Sequence, residues 1–220
     1  MIPGRRQASG GAGLWLRWVL ANAVGETIGL GGTALVAAAV FYAGEGTGVY
    51  AAVALAGLAV MAGTLIEGTV VGTAQWLVLR RPLPGMSWRT WVLATGAGAF
   101  VAWTLGMVPS TVLGSGGGEP AAEPGEATVL GLAFIMGLVL GPVLGLAQWL
   151  ILRRFVKSAA LWMPANALAW AFGMVVIFIG IDLALGGTST VPILALTLAI
   201  AGAIVGAVHG LALVWFLRSA

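Results

Sequence analysis

GTVVGTAQWLVLRR occupies residues 68–81, and GPVLGLAQWLILRR occupies residues 141–154. Ten of the fourteen positions are identical, at an offset of 73 residues. Each copy is the inner end of a long apolar stretch that stops at paired arginines, Arg80-Arg81 and Arg153-Arg154. A weaker third copy, GAIVGAVHGLALVWFLR, starts at Gly202. The three share one frame: a glycine, a glycine four residues on, and a polar residue three further. It gives Gly68, Gly72 and Gln75; Gly141, Gly145 and Gln148; Gly202, Gly206 and His209. A second motif precedes each copy, as WVLANAVG from Trp18, WVLATGAG from Trp91 and WMPANALA from Trp162. Self-similarity at a near-fixed period marks repeated structural units.

The composition names the solvent of those units. Sixty per cent of the 220 residues are hydrophobic and 8% are charged, whereas soluble domains carry about 25% charged residues. A spanning helix needs about 20 mostly apolar residues. The pattern predicts an all-α membrane protein of six transmembrane helices, near 14–43, 49–81, 87–112, 127–154, 159–183 and 191–218. They pair into three tandem hairpins over 14–81, 87–154 and 159–218, within a single domain covering 1–220. A membrane barrel would alternate apolar and polar residues in segments of about 10; these runs are continuous. The apolar run from Leu14 to about Gly44 exceeds the core of a cleaved signal, so it reads as a retained first span despite Arg5 and Arg6 before it.

Charge sets the orientation. All ten Lys and Arg (Arg5, Arg6, Arg17, Arg80, Arg81, Arg89, Arg153, Arg154, Lys157 and Arg218) fall at one set of helix ends. Glu45, Glu119, Glu123, Glu126 and Asp182 fall at the other. The positive-inside rule then puts both termini in the cytoplasm, as expected for the bacterial cytoplasmic (inner) membrane. The same asymmetry accounts for a pI of about 10.2 with no nucleic-acid partner. Eight of the ten tryptophans cluster near the basic ends, which reads as an interfacial aromatic belt.

Thirty-five glycines need a reason, because glycine costs about 1 kcal/mol against alanine in a helix. Close backbone approach is the usual one in membranes. The stripes Gly68/Gly72, Gly141/Gly145 and Gly202/Gly206 predict that the second helices of the hairpins meet one another or their own partners. Homodimerisation through such a face is the alternative. Beside the stripes lies a polar layer of Asn22, Gln75, Thr95, Gln148, Asn166 and His209, at similar depth. Asn22 and Gln75 each lie five residues from an arginine, about 7–8 Å inside the basic boundary. The layer reads as interhelical hydrogen bonding, or as the lining of a cytoplasmic vestibule.

The candidate functional residues are Glu26, Glu67 and His209. An acid inside a span is a site hypothesis by default. By helical rise Glu26 lies about 13 Å and Glu67 about 20 Å beyond the basic boundary. Thr27 and Thr64 are candidate partners for these carboxyls. The acids break the repeat: Ala99 and Trp170 stand where Glu26 would recur, and Leu140 and Ala201 where Glu67 would. His209 stands where the other copies have glutamine. One histidine without cysteine cannot supply the three or four ligands of a zinc site. No cofactor or metal is expected, and no catalytic motif appears: there is no Walker A string, GxSxG elbow or HExxH.

In its AQWL[VI]LRR and W-x-x-A-N motifs the chain resembles uncharacterised multi-pass membrane proteins of bacteria with repeated QWLxLRR helical hairpins. The resemblance implies the architecture and carries no activity, cofactor or ligand. The expectation is a non-enzymatic integral membrane protein, structural or accessory, with the lipid bilayer, a membrane-protein partner or a second copy as its contacts. The alternatives are a small proton- or cation-coupled transporter or channel using Glu26 and Glu67, and a pigment- or cofactor-binding subunit through His209.

Overall fold

A computed structural model describes residues 4–44, 46, 48–114, 124–187 and 189–218. Among them are six long helices and no strand: α1 (Gly4–Gly44), α2 (Val49–Leu79), α3 (Trp88–Gly114), α4 (Glu126–Leu152), α5 (Trp162–Leu185) and α6 (Thr190–Arg218). All six are long and apolar enough to cross a membrane. The fold therefore defines a polytopic helical membrane protein. Glu45, Glu119 and Glu123, expected at the acidic ends, lie outside the described residues. The first helix begins at Gly4 and not near residue 14. Its hydrogen-bond ladder needs no apolar side chains, so the helix runs on past the apolar segment. Pro142 lies inside α4, which remains one continuous helix.

Each helix packs on its neighbours in the chain, and α6 returns to pack on α1, closing a ring. The reason is visible on α1. Leu16, Leu20, Val24 and Ile28 recur every four residues and are each more than half exposed. Trp18, Asn22 and Glu26 share the same spacing on another face and are buried. Residues four apart lie on one face of a helix. Apolar side chains can face hydrocarbon without cost, whereas polar groups there need partners within the protein.

Glycines set how closely the helices approach. A Cβ on Gly68 of α2 would lie 2.6 Å from Gly96 Cα on α3. One on Gly145 of α4 would lie 3.1 Å from Met163 Cα on α5, and one on Gly206 of α6 would lie 3.0 Å from Val19 Cα on α1. The stripes thus pack neither on one another nor on their own hairpin partners. Each packs on the first helix of the next hairpin, and the last packs on the first. The reason is steric: the facing first helices present backbone, so only glycine admits the contact.

At the basic end the ring is filled. Trp18, Trp91 and Trp162 are fully buried in one apolar cluster with Leu79, Leu152, Leu213 and Phe216. The connections after α2 and α4 fold underneath and add Leu83, Met86, Val156 and Ala159. This corrects the reading of all the basic-end tryptophans as interfacial anchors. Trp88 and Trp215 are 40% and 48% exposed, but the three motif tryptophans are core.

Candidate functional site

The polar layer lies directly against this cluster. On α1, Asn22 is one turn beyond Trp18; on α3, Thr95 is one turn beyond Trp91; on α5, Asn166 is one turn beyond Trp162. Asn22 and Asn166 donate from Nδ2 to the carbonyl oxygens of Trp18 and Trp162, each at 2.8 Å. Thr95 Oγ1 donates to the Trp91 carbonyl at 3.0 Å. These bonds to residue i−4 hold each side chain against its own helix, and on α1 and α3 they leave Asn22 Oδ1 and Thr95 Oγ1 to accept from the second helices.

Gln75 donates through Nε2 to Asn22 Oδ1 at 2.9 Å, within its own hairpin. Its Oε1 accepts from Trp91 Nε1 of the next hairpin at 3.2 Å. Gln148 repeats the pattern. It donates to Thr95 Oγ1 at 3.1 Å and accepts from Trp162 Nε1 at 2.9 Å. A carboxamide suits this task because it donates at one end and accepts at the other. Gln148 Nε2 also donates to Gln75 Oε1 at 2.9 Å, joining the two units across the ring.

His209 completes the set from α6. Its Nδ1 accepts from Trp18 Nε1 at 2.7 Å. An indole N–H can only donate, so Nδ1 presents a lone pair, as Oε1 does in the two glutamines. The imidazole ring lies 5.6 Å from Trp18 and 5.1 Å from Trp162 by centroids. His209 is buried between these rings. Its surroundings are those of a glutamine substitute.

Glu26 and Glu67 lie farther from the basic end. Glu67 is 6% exposed and sits across from Gly29, where a Cβ would approach Glu67 Cα to 3.2 Å. Gly29 is less than one turn past Glu26 on α1, so the two acids occupy neighbouring levels of the α1–α2 seam. Glu67 Oε2 accepts from Trp103 Nε1 of α3 at 2.6 Å. The hydroxyls of Thr27 and Thr64 donate instead to their own helices, to the carbonyls of Ala23 and Val60. Glu26 is 2% exposed, and its Oε2 is buried with no hydrogen-bond partner. Among the described residues no three of His, Cys, Asp and Glu gather where they could hold a metal.

The structure therefore brings Asn22, Gln75, Thr95 and Gln148 into one bonded layer, with His209 and Asn166 tied to its tryptophans. It places Glu26 and Glu67 on neighbouring levels of the α1–α2 seam, with Glu26 one turn beyond Asn22 of that layer. Sequence reasoning missed two things: the motif tryptophans as donors of the layer, and Trp103 as the partner of Glu67. The first had a signal, because Trp18, Asn22 and Glu26 share a helical face. The second had a weaker one: Trp103 is mid-span, where an indole N–H needs a protein acceptor. No protein-family model, no curated protein and no solved structure matches this chain.

Proposed function

We propose that this chain is a non-enzymatic protein of the bacterial cytoplasmic membrane, acting as a structural or accessory subunit. Its three tandem hairpins close into one ring, with both termini in the cytoplasm. The grouping of Arg80, Arg81, Arg153, Arg154 and Arg218 at one set of helix ends supports this orientation. One observation carries the reading. The polar groups that recur with the hairpins are bonded to one another and sealed by the tryptophan cluster. Such an arrangement fixes register and shape, and it is what a scaffold requires. Purification from native membranes in mild detergent tests it. The expected result is a membrane-protein partner in fixed stoichiometry; a lone monomer contradicts the accessory role.

The unpartnered Glu26 Oε2 beside Glu67 favours a second reading, a proton- or cation-binding pair that adds transport to the scaffold. A buried ionised carboxylate with no protein partner on one oxygen is costly, so a bound cation or proton would relieve the burial. Flux in liposomes decides it: Glu67→Gln should lower proton or cation flux at least tenfold. Flux that is absent in the wild type, or unchanged by the substitution, removes the second reading.

A further inference from the structure

A cavity of about 490 Å³ opens between α1 and α2 at their basic ends. Arg17, Arg80 and Arg81 stand around it, and Leu20, Val24 and Leu77 form its apolar walls. None of its lining residues is acidic. The walls face outward: Leu20, Val24 and Leu77 are 55%, 56% and 47% exposed, on the surface that meets lipid in a membrane-spanning chain. The small side chains of Ala21 and Ala74 leave the slot between the two helices unfilled.

We propose that this groove is a binding site for one anionic phospholipid, with its phosphate held by Arg17, Arg80 and Arg81 and an acyl chain lying between Leu20, Val24 and Leu77. A guanidinium presents a planar fork of donors that matches phosphate oxygens. The Arg17 side chain is already directed, because its Nε donates to the Gly13 carbonyl at 3.0 Å. That bond leaves its terminal NH2 groups for a ligand. The Arg80 guanidinium lies over the Trp76 ring at 5.3 Å from the centroid, a contact that orients it without using its donors. The acids of this hairpin's spans, Glu26 and Glu67, are buried in the ring and do not line the groove.

Basic pockets between spanning helices suit anionic headgroups, and the apolar slot below the rim selects a lipid over a free anion. The full arginine set is particular to the first hairpin. At an offset of 73 residues Arg80 and Arg81 recur as Arg153 and Arg154, but Thr90 stands where Arg17 would recur. The second hairpin therefore provides an internal control. The inference needs only that the chain spans a bilayer; it stands or falls separately from the accessory role and from any transport.

The test uses the purified full chain in neutral detergent. Native mass spectrometry measures binding of phosphatidylglycerol, phosphatidylcholine and inorganic phosphate. The expected preference for phosphatidylglycerol over phosphatidylcholine is about 100-fold, from roughly fivefold for each of the three arginines. The triple variant Arg17→Gln/Arg80→Gln/Arg81→Gln should lose it, and Arg153→Gln/Arg154→Gln should keep it. Val24→Trp fills the slot with every charge intact and should also lose it. Unchanged unfolding midpoints without lipid confirm that the variants fold; their targets are on the outer surface. The proposal is overturned if Val24→Trp keeps the full preference, if both arginine variants lose it equally, or if inorganic phosphate competes at the lipid's own concentration.

Discussion

Alanine at Gly141 should destabilise the protein by about 1–3 kcal/mol, the cost of overpacking a filled core. A Cβ there would run into the Asn166 carbonyl oxygen, and would lie 2.8 Å from the Asn166 carbonyl carbon and 2.9 Å from Ala167 Cα. These are backbone atoms of α5, so no rotamer change can make room; α4 and α5 must separate. The Gln148–Trp162 bond joins the same two helices and would lengthen with them. Gly57 is the control. A Cβ there meets nothing within 4 Å, so alanine at this α2 position should be neutral, or stabilising by up to about 1 kcal/mol through helix propensity. Titration with a denaturing detergent, followed by circular dichroism, measures both. Equal effects at the two glycines would mean that close approach does not hold this ring together.

The second large effect is at Trp162. Its side chain is fully buried, and truncating a buried tryptophan to alanine costs about 3–5 kcal/mol. Trp162→Ala should therefore unfold a large fraction of the protein under conditions that the wild type survives. Trp162→Phe keeps most of the volume and removes only the N–H, leaving Gln148 Oε1 with no donor from α5. Its expected cost is about 1–3 kcal/mol, that of an unsatisfied buried polar group. His209 gives the matching test from the acceptor side. His209→Gln should stay within about 1 kcal/mol of wild type, because glutamine can accept from Trp18 as its counterparts do. His209→Leu leaves the Trp18 N–H buried without an acceptor and should lose about 1–3 kcal/mol. If His209→Gln is as damaging as His209→Leu, then histidine does more there than accept a hydrogen bond.

The spans and the pairing of polar residues at equal depth were legible in the sequence. Run length and charge placement are local, and depth follows from helical rise, so Asn22 opposite Gln75 and Thr95 opposite Gln148 could be found by counting. The partners of the glycine stripes could not. Which helix lies beside Gly68 or Gly206 depends on how the hairpins close on one another, and no local pattern records that α6 meets α1. The tryptophans show a different limit. Core and interfacial tryptophans occur at the same depth near the same arginines, so composition cannot separate them; helical phase can. Trp18 is four residues from Asn22 and faces inward, whereas Trp215 is six residues past His209, about 120° round α6, and is 48% exposed. The break of the repeat at Glu26 and Glu67 was visible as two acids without counterparts, whereas Trp103, on the next hairpin, was marked only as a mid-span indole in need of an acceptor, with nothing to say which.

Ring closure through α1 and α6 is the central claim, and the absence of cysteine makes it directly measurable. Trp15 Nε1 donates to the Ala207 carbonyl at 3.0 Å, joining residues 192 positions apart. Cysteines at these two positions, treated with a short thiol crosslinker in native membranes, should link within one chain. A protease site inserted between α3 and α4 separates the two halves, and the crosslink should hold them together on a denaturing gel. Halves that separate after treatment, or that link only into dimers of the uncut chain, would contradict the closed ring.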